Sequence, residues 1–531
     1  MSGGSFFGFN VAVRGLFTAQ RNLSVIAHNL NNVNTPGFSR QQAIQTAATP
    51  YYTTDGTGMV GAGSEVIAVK RIRDEYLDSK YWSENILKGE YSAKSELLAE
   101  MEVRFGEPSD SGFSVIFNDF FASLQELSKD SGNEAVRSVV RQKGITFTDY
   151  LNNIAVQLEK MQEDVNIRVR AVVDEINSLA EQIGKLNQQI YTAELGNNIA
   201  NDLRDRRTLL VDRLSELINI DVYEVEMGKL PDGRPNKHFV ITISGKPLVD
   251  HFTVSKLTVE KRTTKLNEED IDGLYDVRWE DGNDLVIKSG KLKGYLDIRD
   301  GKQGQNGSPN YTGIPHYIQM LDRFARTFAM AFNEGYIDVN GDGVIDPQED
   351  GTGHADGFGA NGSTGVRFFT FLDDTREPVD SATFMDGAAT VDEIVKRYEN
   401  IRARNITVSK DVNDNCNTIA TSDTDGEIGN IRVLNAILDM RHNSQMFSDG
   451  APEDFMKSLI STMGIDSQQA VLYAKNQEAI LHQVYNARQS VAGVSIDEEL
   501  ANMVRFQHAY NAAAILIVTI GEIYEMLLNS V

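Results

Sequence analysis

Two apolar stripes, one at each end of the chain, constrain this sequence more than anything between them. From Phe9 the residues Ala12, Leu16, Ala19, Leu23, Ile26, Leu30 and Val33 recur in alternating steps of three and four. That is the 3.5-residue period of a helix face that packs along another helix. A second stripe runs Leu500, Met503, Gln507, Tyr510, Ala514, Ile517, Gly521, Tyr524, Leu528, Val531, repeating every seven. Neither stripe has a partner beside it in the chain. The simplest solution packs the two ends on each other as an antiparallel or parallel coiled coil, which makes everything between them an insertion. Ser495 and Glu498 open the second stripe as a capping box. Asn31, Asn32, Asn34 and Pro36 close the first near Val33, and an extended segment follows.

A chain of 531 residues has room for three or four domains. Lys and Arg total 51 against 76 Asp and Glu, a formal charge of −25 that argues against a nucleic-acid partner and for a solvated, self-repelling surface. Cys416 is the sole cysteine, so neither an intrachain disulfide nor a cysteine-based metal knuckle can form. Arg14 and Arg21 interrupt the first thirty residues, which lack the apolar run of a Sec-type signal. Residues 512–518 are apolar throughout but far short of the ~20 needed to cross a bilayer, so no membrane insertion is expected.

Between the stripes the pattern predicts a strand-and-loop arm after Arg40, then helices over 73–105, 113–127, from 133 through 190, and 199–218. The last two form an antiparallel hairpin turning at residues 196–198. Period-two alternation predicts strands at 221–226, 238–243, 252–254, 275–279, 285–287 and 292–296. Helix resumes at 314–335, 430–440 and 454–491, with strand-like runs at 366–371 and 406–408. The fold class expected is mainly α with inserted β structure. It comprises a terminal coiled coil (1–45 with 495–531), a helical bundle with an extended arm (46–218, 314–335 and 396–494), an inserted β domain (219–313) and a glycine-rich insertion (336–395). Gly56, Gly58 and Gly61 satisfy the G-x-G-x-x-G spacing. A β-branched strand follows them where a dinucleotide site needs a helix, so they read as a loop.

One stretch has the composition of a metal site. Asp338, Asn340, Asp342, Val344, Asp346 and Glu349 stand at positions 1, 3, 5, 7, 9 and 12 of a calcium loop, with Gly343 at the sharp turn. Hard oxygen ligands of this kind suit Ca²⁺. A helix ends just before the loop, but none follows it, so Asp, Asn and Gly forming a boundary turn is the competing reading. No other cofactor is called for. The eight histidines are scattered, and neither a His-Glu-x-x-His nor a Gly-x-Ser-x-Gly motif occurs, so no enzyme is expected.

The stretch from Ala27 to Gln41, with Asn34-Thr35-Pro36-Gly37-Phe38-Ser39-Arg40-Gln41 at its end, resembles the N-terminal motif of the flagellar axial proteins, the family of rod, hook and hook-associated subunits. Residues 65–81, the Asp202-Leu203-Arg204-Asp205-Arg206-Arg207 string and residues 495–510 resemble further parts of that family's hook-associated branch. The resemblance runs end to end and is weakest over 220–430. It implies a non-enzymatic subunit of the bacterial flagellum at the hook–filament junction, outside the cell and exported unfolded by the type III route. It implies self-assembly into a ring, with hook protein below and the next hook-associated protein above, and an export chaperone on residues 496–531. On this reading Phe9, Leu16, Leu23, Ile26, Leu30, Val33, Leu500, Met503, Tyr510, Ile517, Tyr524 and Leu528 are the candidate assembly interface, because unpaired ends become ordered by packing on neighbours. Two alternatives stay open: another hook or rod subunit, and a secreted calcium-binding adhesin with coiled-coil ends.

Overall fold

The spine of the molecule is one helix of 61 residues, Glu134–Glu194, about 90 Å long at 1.5 Å per residue. Asn133 caps its start, its side chain accepting from Ala135 N at 3.0 Å. Buried positions then recur at threes and fours, Val140, Phe147, Leu151, Ile154, Leu158, Met161 and Val165 among them, so one stripe can feed a continuous core. The computed structural model describes residues 5–52, 58–105, 112–196, 198–229, 235–337, 350–388 and 390–530.

In chain order, α1 (Ser5–Asn31) leads into the arm, where β1 (Gln41–Ala47) pairs antiparallel with β4 (Ser64–Arg71), while β2 (Tyr51–Tyr52) pairs with β3 (Met59–Val60). Then come α2 (Glu75–Phe105), α3 (Phe113–Lys129), the spine α4 and α5 (Asn201–Leu217). The insertion holds an antiparallel sheet of β5 (Asp221–Lys229), β6 (Pro235–Ile243), β7 (Lys246–Asp250) and β8 (Thr253–Val254), followed by the ribbon β9 (Leu257–Lys261) and β10 (Tyr275–Trp279). After α6 (Lys291–Asp300) and α7 (Ile314–Glu334), β11 (Phe358–Gly359) pairs with β14 (Ala420–Ser422) and β12 (Phe369–Phe371) with β13 (Ile406–Val408). Short helices α8 (Ser381–Phe384), α9 (Val391–Tyr398) and α10 (Lys410–Asp414) lie among these strands. The chain closes with α11 (Arg432–Met440), α12 (Pro452–Ala492) and α13 (Ile496–Asn529).

The mainly α class with inserted β structure holds, with two local differences. Residues 292–296, expected as a strand, form part of α6, with Leu292, Tyr295 and Ile298 buried at steps of three. This helix lies so close to α2 that a Cβ on Gly294 would stand 2.7 Å from Glu90 O. Lys94 of α2 reaches Asp297 at 2.7 Å. Tertiary packing overrides the β-like local pattern there. Residues 285–287 are not a strand either, and the pairing beside them is a single bridge from Arg278 to Asp284. Conversely, β7 and β9 lie where no strand was expected.

One connected cluster of buried apolar side chains extends from Ala93 to Ala470 and includes Phe239, Ile241 and Trp279 of the insertion. Its densest part is aromatic: Phe113, Phe117, Phe120, Phe147, Phe324 and Phe328 are all fully buried. Residues 350–388, within the glycine-rich insertion, pack on this body through Phe368, Phe369 and Phe384. Asn333 of α7 donates to Phe369 O at 2.6 Å and accepts from Phe368 N at 2.8 Å.

Buried His354 belongs to the same region. Its Nδ1 donates to Val366 O at 2.7 Å and its Nε2 accepts from Ala420 N at 2.9 Å, so both ring nitrogens are matched only in the neutral form. Burial pushes its pKa down to about 4. The unfolded chain therefore binds a proton here between about pH 6.5 and 4 that the folded chain does not, and stability falls as pH drops through that window. Asp322 acts in the opposite sense, since burial raises its carboxyl to about 6 and the folded state holds the extra proton between pH 3.8 and 6. Comparing urea unfolding of the wild type with His354→Gln at pH 7 and pH 4 isolates the histidine. The wild type is expected to lose about 3 kcal/mol relative to the variant over that interval.

Candidate functional site

The two ends pack on each other as an antiparallel pair. The space a Cβ on Gly8 would fill lies 3.6 Å from Ile520 Cδ1, that on Gly15 lies 3.9 Å from Ala513 Cβ, and Asn29 reaches Glu499 at 3.2 Å. Positions thus rise along α1 as they fall along α13. The buried row of α1 is Ala12, Ala19, Asn22, Ile26 and Asn29, with Gly8 and Gly15 continuing its spacing. On α13 Glu499 and Ala513 are buried, and Met503, Phe506, Tyr510, Ile517, Ile520 and Tyr524 are half-buried.

The sequence stripes therefore coincide with one of the two packing rows on each helix. The other row is displaced by one residue, since Phe9, Leu16, Leu23 and Leu30 flank the contact half-buried while Gly8, Gly15, Asn22 and Asn29 take the central places. Val33 lies beyond the end of α1, half-buried. Leu500 and Leu528 are 42% and 78% exposed and make no part of the buried contact. Small residues win the central row because they let two backbones approach.

The segment after α1 is a hinge of fixed geometry. Phe38 N donates to Thr35 O at 3.2 Å around Pro36 and Gly37, and Gly37 has φ +76°, the arrangement of a type II turn. Gly37 also presses on α5, where a Cβ would stand 3.3 Å from Leu209. Phe38 packs edge-on to His28 at 5.4 Å.

Beyond this turn, a chain of buried polar contacts joins four segments of the molecule. Asn29 donates to Gln41 O and accepts from Gln41 N, both at 2.9 Å. Arg40 donates to Glu499 at 2.7 Å and to Glu498 at 2.6 Å, and its backbone N bonds Ala492 O. Asp205 of α5 accepts from Ser39 N at 2.8 Å, Ser39 Oγ at 2.7 Å and Arg71 at 2.9 Å. Arg73 donates to Ser39 Oγ at 2.9 Å and clasps Asp78 through two bonds of 2.7 and 2.8 Å. Arg488 of α12 pairs with both Asp78 and Asp212, and Asp212 also holds Trp82 Nε1. Burial works against the Arg488 charge, but Asp212 and Asp78 outweigh it and hold its pKa above the ordinary value.

Such alternation of guanidinium and carboxylate tolerates burial because each charge meets its opposite through directed hydrogen bonds. It ties the coiled-coil ends, the arm, the α4–α5 hairpin and α12 into one joint. Glu498 shows how the joint takes precedence over local structure. N-capping by Ser495 survives, its Oγ accepting from Glu498 N at 3.4 Å, whereas the Glu498 carboxylate turns to Arg40 instead of closing the capping box.

Asp78, Asp205, Asp212, Arg488 and Glu499 were not singled out from the sequence. Their signal was available only as the charged string around Asp205. The calcium-loop residues Asp338, Asn340, Asp342, Val344, Asp346 and Glu349 lie outside the described residues. Among the described residues no group of three or more His, Cys, Asp or Glu side chains is placed to hold a metal.

A long helical body closed through a buried joint by its own two ends has the build of a structural subunit of a polymer. Residues 9–38 match the family model described as "Flagella basal body rod protein", and residues 98–343 match "Flagellar hook-associated protein FlgK helical domain". The class is thus a flagellar axial protein. Flagellar hook-associated protein 1 of Bacillus subtilis is 30% identical, over 99% of this chain and 98% of its own length. The Escherichia coli protein of the same name is 25% identical over 98% and 99%. The solved flagellar hook junction protein FlgK from Burkholderia pseudomallei shares the fold over 79% of this chain and all of that one, with a TM-score of 0.56 at 13% identity. The chain belongs to the flagellar hook-associated protein 1 family, and it is a structural, non-enzymatic component of the bacterial flagellum at the hook–filament junction. The rod-protein match is confined to residues 9–38, while the matches that run the length of the chain are to hook-associated protein 1 and not to a hook or rod subunit or an adhesin.

Proposed function

We propose that the closed pair of ends is the unit of assembly, and that copies of this chain form a ring at the distal end of the hook. Hook protein lies below that ring and the next hook-associated protein above it, outside the cell. The observation that carries this reading is the outer face of α13. Ile515, Leu516, Val518, Met526 and Leu527 stay exposed after α1 has covered the opposite side, and Phe17 of α1 is exposed as well. Soluble monomers rarely carry so large an apolar patch. Within Pro452–Asn529 an 18-residue window of mean hydropathy 1.6 is apolar enough to cross a membrane by composition. The three-and-four burial along its partner α1 favours neighbouring helices over lipid as its cover. Before assembly the same face, residues 496–531, is open to a dedicated export chaperone, and the chain leaves the cell unfolded by the type III route.

Leu516→Glu tests this reading, because Leu516 is 54% exposed and its replacement leaves the internal pairing alone. The variant should melt as the wild type does, yet yield hooks without filaments by electron microscopy and no swarming. Normal filaments would overturn the proposal.

The calcium reading rests on the full set of loop positions from Asp338 to Glu349. Calorimetric titration of the full chain should show Ca²⁺ binding in the micromolar to millimolar range, lost in Asp342→Asn/Glu349→Gln. No heat and an unchanged melting temperature would remove calcium from the account.

A further inference from the structure

Between β4, the α4–α5 turn and the first hairpin of the insertion lies a cleft of about 490 Å³. In a chain of charge −25 this cleft has the opposite balance, with Lys70, Arg71, Arg73, Arg204, Arg207 and Lys237 lining it against four carboxylates. Two of those carboxylates are already engaged. Asp78 is clasped by Arg73, and Glu194 by Arg204 through bonds of 2.8 and 2.9 Å. A third, Glu224, is shared among Arg207 at 3.3 Å, Arg204 at 3.4 Å and Lys237 at 3.7 Å. Glu75 and Lys70 form no ion pair among the described residues.

Arg207 is a buried cation with one hydrogen bond unmade. It is 5% exposed, lies 3.6 Å over the Phe239 ring and donates to Asn187 at 3.0 Å, but its Nε has no acceptor. Burial, with Arg204 beside it, lowers its pKa to about 9. A buried guanidinium with an unmade hydrogen bond and a shared counter-charge is costly, and an added oxyanion offsets both deficits.

We propose that this cleft is an oxyanion site, taking a phosphate or carboxylate group between Arg207, Lys237 and Lys70. The inference is independent of the ring reading, since it concerns the joint side of the molecule and not the outer face of α13. The group can come from two sources, free inorganic phosphate or an acidic side chain of a neighbouring subunit.

Thermal unfolding of the full chain in sodium phosphate, sodium glutarate and sodium chloride at equal ionic strength distinguishes them. Phosphate or glutarate should raise the melting temperature saturably, by on the order of 2 °C at ten times the dissociation constant, where chloride does not. A response to phosphate alone identifies the free ion, and one to glutarate identifies a side-chain carboxylate. The Lys70→Gln/Lys237→Gln variant changes two side chains at the mouth of the cleft and should abolish the response. Calorimetric titration of phosphate and glutarate into the wild type supplies a readout that does not depend on the variant folding. Equal behaviour in all three salts with no heat of binding, or a response that persists in the variant, would overturn the proposal.

Discussion

Replacing Asp205 by alanine is expected to destabilise the protein by about 3–5 kcal/mol and to release its two ends from the body. The magnitude follows from what one buried carboxylate holds. Asp205 is 4% exposed, accepts from Ser39 N, Ser39 Oγ and Arg71, and lies 3.6 Å from Arg73. Alanine leaves Arg71 short of its counter-charge and the fully buried Ser39 N without an acceptor, and each such unmet group costs about 1–3 kcal/mol. Asp205→Asn keeps an acceptor but not the charge, so it should fall between wild type and alanine. Limited proteolysis reads the local effect, with cleavage between residues 33 and 40 appearing in the alanine variant well before the helical body is cut. If cleavage and urea midpoint match the wild type, the joint does not hold the ends.

Phe147→Ala should cost a similar ~3–5 kcal/mol by a different route, cavity formation in the body. The Phe147 ring lies 5.3 Å from that of Phe328, 5.8 Å from those of Phe117 and Phe120, and 6.2 Å from that of Phe369. Removing it opens a space that four elements would have to collapse to fill, and the aromatic edge contacts are lost as well. Phe147→Leu retains most of the volume and is expected to recover more than half of the loss. The two sites should also separate by probe. Phe147→Ala lowers the denaturant midpoint of the whole body, whereas Asp205→Ala shows first in the proteolysis of the hinge.

The elements readable from local pattern were those whose period repeats many times. The 61-residue spine, its hairpin with α5 and the two terminal helices each contain several heptads, so errors at single positions average out. The turn at Pro36 and Gly37 was readable for another reason, since proline and glycine restrict or extend backbone freedom wherever they stand. The insertion was read less well. Residues 292–296 are five residues of mixed pattern, and their helix is decided by the surface of α2 against which Gly294 and Leu292 rest.

By itself the sequence determined that the ends must pair, that the body is helical with β structure inserted, and that a hinge follows the first helix. Only the tertiary structure decided which side of each terminal helix makes the contact, and the reason is geometric. Neighbouring residues on a helix differ by about 100°, so a contact centred one residue over exchanges the apolar row Phe9, Leu16, Leu23 and Leu30 for the row Gly8, Gly15, Asn22 and Asn29, which apolar periodicity does not mark. The close approach of α13 selects the row through Gly8 and Gly15 over that through Phe9 and Leu16. The joint was likewise beyond local pattern. Ser39 and Asp205 are 166 residues apart, and Asn29 and Glu499 are 470 apart. A charge in the chain shows that it needs a partner, while the identity of that partner exists only once the fold has brought the two together.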